Sequence, residues 1–344
     1  MSNIGRTREE DNIRKIVDYL YENGLNKTVE LPQIAVMGDT SSGKSSLLSA
    51  LSTVQFPSSD QITTRCPTRL HMERSLDGTS FAKVDIIWTV TKNPPPFQSM
   101  KLEGTNIGPR LSAEISRAQE IILTASGREV SEDVIQITLC DPDCLDLTLI
   151  DLPGIVRTSG KGESNTLGEE IRNLINLYLT NERCIILAVI PANVDFHNSQ
   201  IMADARKVDP STTRTLPVIN KPDLIDHGAE SGVCDLLLGK KTERFELGFH
   251  IVRCRGQKDL NDGMSVAEGI QKEEIFFRAK EPWSHIGDRD LMGVPSLKKK
   301  LALLQIEMLQ KTVPTIVEDI TKKKLVAIEE LHQLGFDLSN EFSR

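Results

Sequence analysis

The run Gly38-Asp39-Thr40-Ser41-Ser42-Gly43-Lys44-Ser45 has the spacing G-x-x-x-x-G-K-[ST], the pattern of a loop that cradles phosphates. Its glycines let the backbone curl until several N–H groups and a helix N-terminus face one set of anionic oxygens. Lys44 supplies a mobile positive charge for β- and γ-phosphates, and the Ser45 hydroxyl is placed for Mg²⁺. The loop is expected to bind a nucleotide through Gly38, Asp39, Ser42, Gly43, Ser45 and Ser46. A Gly- and Ser-rich turn has the same composition. It has no reason to lie between the strand-like Gln33-Ile34-Ala35-Val36-Met37 and the helix-like Ser46-Leu47-Leu48-Ser49-Ala50-Leu51.

Two further motifs follow in order. Leu147-Thr148-Leu149-Ile150-Asp151-Leu152-Pro153-Gly154 is an apolar strand ending in D-x-x-G. In P-loop GTPases such an aspartate holds a water on Mg²⁺, and the glycine amide reaches the γ-phosphate. Asn220-Lys221-Pro222-Asp223 is an N-K-x-D tetrapeptide at the end of Leu216-Pro217-Val218-Ile219. The Asp223 carboxylate can accept from guanine N1–H and the N2 amino group together. Adenine offers neither donor, so discrimination of about 1–3 kcal/mol or more is expected. Asn220 is expected to brace neighbouring loops, and the Lys221 stem to lie along the base. An exposed polar turn capped by Asp223 fits the tetrapeptide alone, but not its order and company. Between the first two motifs, Ile62-Thr63-Thr64-Arg65-Cys66-Pro67-Thr68 offers Thr63 or Thr64 to complete the Mg²⁺ shell. An ATP-using reading fails on the N-K-x-D motif.

The elements that must position these residues alternate. Short apolar runs at 33–37, 82–90, 134–139, 145–150, 184–191, 215–219 and 248–253 have helix-like segments between several of them. That alternation predicts an α/β fold with a mostly parallel central sheet flanked by helices. Pro94-Pro95-Pro96 marks a loop after a strand ending near Val90. Ile13, Ile16, Val17, Leu20 and Tyr21 form one face of a helix ended by Gly24. Beyond Gly293-Val294-Pro295, a helical stripe of Leu297, Leu301, Leu304 and Met308 is expected to break at Pro314, with a second helix from about 315 to 334.

Composition narrows the class. With 39% hydrophobic and 26% charged residues the 344-residue chain has the make-up of a soluble globular protein. The 49 acids against 41 bases give a net charge of −8, which argues against a general nucleic-acid binder. The N-terminus has no apolar signal stretch, and Cys184-Ile185-Ile186-Leu187-Ala188-Val189-Ile190 is too short to span a bilayer. Cys66, Cys140, Cys144, Cys184, Cys234 and Cys254 are scattered and read as reduced thiols of a cytoplasmic protein. Cys140 and Cys144 flank a turn and lack a second ligand pair, the six histidines show no ligand spacing, and Asp195 with His197 reads as a polar loop.

Taken together, Leu31-Pro32-Gln33-Ile34-Ala35-Val36-Met37-Gly38-Asp39, Ser41-Ser42-Gly43-Lys44-Ser45-Ser46, Thr64-Arg65-Cys66-Pro67, Leu149-Ile150-Asp151-Leu152-Pro153-Gly154-Ile155 and Lys221-Pro222-Asp223-Leu224-Ile225-Asp226 resemble the dynamin superfamily of large GTPases, most closely its interferon-induced Mx-like branch. Val252-Arg253-Cys254-Arg255-Gly256-Gln257 is similar to the Mx form of the last base-contacting loop, which makes Arg255 and Gln257 candidate base contacts. Pro191-Ala192-Asn193-Val194-Asp195 and Glu274-Ile275-Phe276-Phe277 are also similar to family segments, and the resemblance spans roughly residues 10 to 334. It implies a bundle helix at 1–28, a dynamin-type GTPase domain at 29–295, and C-terminal helices at 296–344 that begin a stalk and stop early, as in a fragment or a short form. It also implies GTP/GDP and Mg²⁺ as ligands, with Ser45, Thr64 and Asp151 around the metal. Lys44, Ser41, Thr64 and Thr40 would be the catalytic residues, Ser41 helping to hold a charge-compensating monovalent cation, K⁺ or Na⁺. Dimerisation across the nucleotide face is implied, with Asp226 touching the partner's site, and membrane or microtubule association rests on the resemblance alone. Thr40 stands where the family carries a water-positioning glutamine, and Ser59 and Gln61 where relatives carry glycines. Intact binding with slow turnover is therefore expected. A guanine-nucleotide module with little or no catalysis is the alternative.

Overall fold

The computed structural model describes residues 12, 15–17, 19–20, 31–54, 56, 64–104, 107–154, 166–196, 199–240 and 244–333. A nine-stranded sheet forms from β1 (Gln33–Gly38), β2 (Thr68–Arg74), β3 (Phe81–Ile87), β4 (Met100–Glu103), β5 (Val134–Asp141), β6 (Leu147–Asp151), β7 (Cys184–Pro191), β8 (Thr215–Asn220) and β9 (His250–Val252), in the order β4-β3-β5-β2-β6-β1-β7-β8-β9. Strands β6, β1, β7, β8 and β9 are mutually parallel. β2 runs antiparallel to β6 and parallel to β5, and β3 is antiparallel to both β4 and β5. The mostly parallel α/β architecture expected from the alternating runs is the one observed.

Ile34 to Met37 in β1 and Ile186 to Val189 in β7 are fully buried. A continuous apolar run is what a parallel strand covered on both faces needs. Helices α1 (Lys44–Ser52), α2 (Ile107–Ser126), α3 (Leu167–Leu179), α4 (Gln200–Val208), α5 (Glu230–Leu237), α6 (Gln257–Asn261), α7 (Val266–Ala279) and α8 (Val294–Gln333) follow. Among those that flank the sheet, α2 packs on β3, α3 on β1 and β7, and α4 on β7. No helix among the described residues is long and apolar enough to cross a membrane.

The strand directions decide where chemistry can happen. Because β6, β1, β7, β8 and β9 point the same way, Asp151, Gly38, Pro191, Asn220 and Val252 end on one edge of the sheet. Pairing of Pro191 with Asn220, and of Asn220 with Val252, keeps these ends level. The antiparallel β2 starts at that edge, with Thr68 opposite Asp151, so Thr64 arrives beside β6. Ligands of open α/β sheets bind at such carboxyl ends.

Two strands and two boundaries depart from the sequence expectation. β2 reads Thr-Arg-Leu-His-Met-Glu-Arg, too polar for a central strand, yet its polar groups are satisfied across the ladder. Arg69 Nη1 donates to Gln136 Oε1 at 2.9 Å, and His71 Nδ1 lies 3.0 Å from Thr148 Oγ1. β4 is a four-residue edge strand with one buried residue. The strand expected to reach Val90 stops at Ile87, because buried Asp133 captures the next turn, accepting from the Val90 amide at 2.9 Å and from the Thr91 hydroxyl. The helix expected to break at Pro314 continues through it as α8. Proline removes one rung of the hydrogen-bond ladder, and a 40-residue helix keeps bonded turns on both sides. There Thr312 Oγ1 donates to the Met308 carbonyl and Thr315 Oγ1 to that of Thr312.

The chain divides into two units, Gln33–Leu303, which carries the sheet, and Met1–Pro32 with Leu304–Arg344. In the second, residues 15–17 and 19–20 are helical, and Val17, Leu309 and Ile316 are buried. Ile16, read as part of the apolar face, is 57% exposed.

Candidate nucleotide site

The phosphate loop begins where β1 ends. Ser42 N–H donates to the Asp39 carbonyl at 3.0 Å, and Leu47 N–H to that of Gly43 at 2.9 Å, opening α1. Ser41 and Gly43 both have left-handed backbones, at φ of 66° and 94°. Those two turns aim the first-turn amides of α1 outward, where a helix leaves them without intrahelical partners. Ser45 and Ser46 stand half-buried in that turn. Lys44 is buried, and its Nζ donates to the Gly38 carbonyl at 3.2 Å. Burial pulls its pKa below the usual lysine value, against the raising influence of Asp151 and Asp39. Gly154 closes the other side: a Cβ there would lie 3.2 Å from both Lys44 Nζ and Thr40 Oγ1. The D-x-x-G glycine thus rests on the phosphate loop, and Thr40 is the loop residue facing it.

Asp151 is buried at the end of β6. Its Oδ2 accepts from Thr64 Oγ1 at 3.4 Å, and its Oδ1 has no hydrogen-bond partner among the described residues. Burial pushes its pKa up to about 6, with the Lys44 charge and the Thr64 hydroxyl pulling the other way. A dry carboxylate with one bare oxygen, a threonine hydroxyl beside it and Ser45 opening α1 is an all-oxygen donor set. Hard cations such as Mg²⁺ take that chemistry. Thr63, Ser59, Gln61 and Ile155 lie outside the described residues, as does His197.

Asn220 joins the two halves of the site. Its Nδ2 donates to the Ser42 carbonyl at 3.3 Å. Its Oδ1 accepts from Lys221 N–H at 2.8 Å and from Cys254 N–H at 3.4 Å. Lys221, also left-handed at φ 59°, donates from Nζ to the Ser41 carbonyl at 2.7 Å. Asp223 follows on a short 3₁₀ turn, Pro222–Leu224, with its side chain 36% exposed. The phosphate loop, the N-K-x-D turn and the loop after β9 are therefore tied together through one buried asparagine.

The loop after β9 carries Arg253 and Arg255 and leads into Gln257. Arg255 Nη1 donates to the Met264 carbonyl at 2.7 Å, and its stem occupies the space a Cβ on Gly269 would need. Gln257 is exposed at the start of α6 and donates to Asn261 Oδ1 at 3.0 Å. The residue brought to Asp223 is Arg253, Nη2 to Oδ2 3.6 Å. Behind it, buried Glu273 of α7 accepts from Arg253 N–H at 2.6 Å and from Val294 N–H at 2.8 Å. Burial pushes the Glu273 pKa up to about 7, against those two amides and the Arg253 charge. No local motif marks either residue, since both roles depend on contacts about twenty to thirty residues apart in the chain.

The sequence pattern described as the dynamin family matches residues 34–222, and that of the dynamin central region matches 232–344. The chain belongs to the dynamin family. Among the proteins it is similar to are the interferon-induced GTP-binding protein Mx of Dicentrarchus labrax, 36% identical over 321 residues covering 93% of this chain and 47% of the relative. Mx1 of Oncorhynchus mykiss is 34% identical over 339 residues, 97% of this chain and 52% of the relative. Mx2 of Bos taurus is 35% identical over 327 residues, 95% and 44%. The chain spans about half the length of the curated relatives it matches. The G-x-x-x-x-G-K-S, D-x-x-G and N-K-x-D runs of this chain meet at the carboxyl edge of the sheet.

Proposed function

We propose that this chain binds GTP with Mg²⁺ and hydrolyses it to GDP and inorganic phosphate. The observation that carries the reading is Asn220, which links the Ser42 carbonyl of the phosphate loop to the loops on either side of the base-reading turn. A guanine held by Asp223 thereby fixes where its phosphates fall against Lys44 and the α1 amides. The amides from Gly38 to Ser46 hold the phosphate chain, and Lys44 offsets charge on the β–γ bridge and γ oxygens. Ser45, Thr64 and Asp151 would hold Mg²⁺, which supplies electrostatic stabilisation of the charge that develops between the β- and γ-phosphates. A water attacks the γ-phosphorus in line, the bond to the β–γ bridging oxygen breaks, and the electron pair leaves with GDP. Thr40, whose Oγ1 stands beside Gly154 together with Lys44 Nζ, would face the γ-phosphate and the attacking water.

The proposal extends to a monovalent cation beside Ser41, whose carbonyl is already an acceptor for Lys221. It extends also to a second copy of the chain across the nucleotide face, where exposed Asp226 lines a groove of about 370 Å³ with Asp195 and Leu224. The domain at 29–295 with helices at 1–28 and 296–344 is the organisation it assumes. The six free thiols fit a reducing, cytosolic setting. Competition of GDP and ADP for the Mg²⁺-loaded chain tests the ligand, and equal affinities would overturn it. Turnover compared in K⁺ and Li⁺ tests the cation, and equal rates would remove it.

A further inference from the structure

Arg253 stands out among the residues around the base-reading turn. Its side chain is 11% exposed, and its guanidinium carbon lies 5.3 Å from the centre of the Phe276 ring. Its backbone N–H is fixed by Glu273 Oε1. Its only ion-pair partner among the described residues is Asp223, at 3.6 Å, and its Nε is buried with no acceptor there. Beyond that pair and the ring face, Arg253 has only the charges of Glu273 and Asp259 around it, and removing a guanidinium from water for these contacts is a poor stabilising device. Buried groups left so incompletely satisfied call for a functional explanation.

We propose that Arg253 is a positioning residue for base recognition: it steadies the Asp223 carboxylate so that both oxygens present themselves to N1–H and the N2 amino group. This rests on Asp223 reading guanine. The physical basis is directional. Asp223 sits on a three-residue 3₁₀ turn with its carboxylate partly in solvent, where an aspartate has several rotamers open to it. Arg253 comes from a different element, is held at its backbone by Glu273 and at its head by Phe276, and so restricts that choice from a fixed point. The 3.6 Å separation is an ion pair longer than a hydrogen bond, so the carboxylate keeps its lone pairs for the base. A lysine carries the charge without the flat surface that rests on the phenylalanine.

The test uses the full chain with Mg²⁺ and the diphosphates of guanosine, inosine and adenosine. Inosine lacks the N2 amino group, so the guanosine-to-inosine affinity ratio reads the second hydrogen bond to Asp223 alone. Arg253→Met is expected to lower that ratio about 1.5-fold to fivefold, the range for a partly exposed charge pair, while inosine diphosphate affinity changes less. Arg253→Lys is expected to recover part of the ratio, and Asp223→Asn to abolish any further effect of Arg253→Met. A Met variant that weakens both nucleotides by the same factor, or leaves the ratio unchanged, overturns the proposal in favour of a structural arginine. If Arg253→Met does not fold, the ratio in Arg253→Lys decides, since a value equal to the unmodified chain's overturns it too. If the unmodified chain does not prefer guanosine to adenosine, the guanine reading itself fails and this proposal with it.

Discussion

Replacing Gly43 by alanine would place a Cβ well under 3.0 Å from Asn220 Nδ2, at a backbone φ of 94°. Two penalties combine. The left-handed conformation costs an L-residue about 1–2 kcal/mol. The collision is with a buried side chain that makes three hydrogen bonds, to the Ser42 carbonyl and from the amides of Lys221 and Cys254. Displacing it forfeits about 1 kcal/mol for each bond lost, more where the partner stays buried and unpaired. If only the Ser42 bond breaks, the total is about 2–3 kcal/mol, and if all three break it is about 4–5 kcal/mol. The strain falls on stability, whereas the lost bonds alter the geometry that nucleotide binding depends on, so affinity should fall by about fivefold at the least. Gly78→Ala is the control, because Gly78 has a φ of 80° and nothing within 4 Å of a new Cβ. It carries the strain without the collision, and should lower the melting temperature by a few degrees with no change in affinity. Titration of GDP into both variants, with a melting curve for each, separates the two effects. A Gly43→Ala chain that binds GDP as tightly as the unmodified one would refute the claim that Asn220 couples the loops.

Other perturbations have definite signs. Asp151→Asn removes the carboxylate with the bare oxygen, and Mg²⁺-dependent phosphate release should fall at least about a hundredfold; a rate within tenfold would remove Asp151 from the metal site. Thr40→Gln restores the side chain that the family resemblance places there, and should raise kcat with KM little changed; an unaltered rate counts against Thr40 as the cause of slow turnover. Two buried groups give opposite pH dependences. Glu273 is held up at about 7, so its contribution to stability is complete below about 4.5 and is lost as pH rises through 7. His250, whose Nε2–H donates to the Gly293 carbonyl, is held down at about 4 by burial. Its contribution is complete above about 6.5 and is lost as pH falls through 4. Denaturant titrations from pH 4.5 to 7 should show Glu273→Gln gaining stability relative to the unmodified chain as pH rises, and His250→Gln gaining as it falls. Parallel curves for all three would contradict both assignments.

Much of the carboxyl edge of the sheet was legible because the proposed phosphate and base recognition would use contiguous residues. The loop from Gly38 to Ser45, the strand into Asp151 and the turn at Asn220–Asp223 each carry their chemistry in a few adjacent positions. All seven apolar runs became strands, and for β6, β1, β7, β8 and β9 the reason is that a parallel strand covered on both faces needs an unbroken apolar stretch. β2 was illegible for the complementary reason. Arg69 and His71 look solvent-facing until Gln136 and Thr148 are brought alongside by the ladder. The early end of β3 depends on Asp133, more than forty residues away. The same holds for Arg253 and Glu273, whose roles come from α7 and the start of α8 meeting the loop after β9. Arg255, which the loop's resemblance marks as a base contact, donates from Nη1 to the Met264 carbonyl. Pro314 warns in the other direction, because a local helix breaker is overridden by the bonded turns around it.

Phosphate release from GTP and from ATP, measured on the full chain with Mg²⁺ beside a Lys44→Ala variant, bears most directly on the central claim. Release from GTP should far exceed release from ATP at equal concentration, require Mg²⁺ and disappear in Lys44→Ala. Release from ATP equal to or above that from GTP, or release from GTP that survives the loss of Lys44, would contradict it.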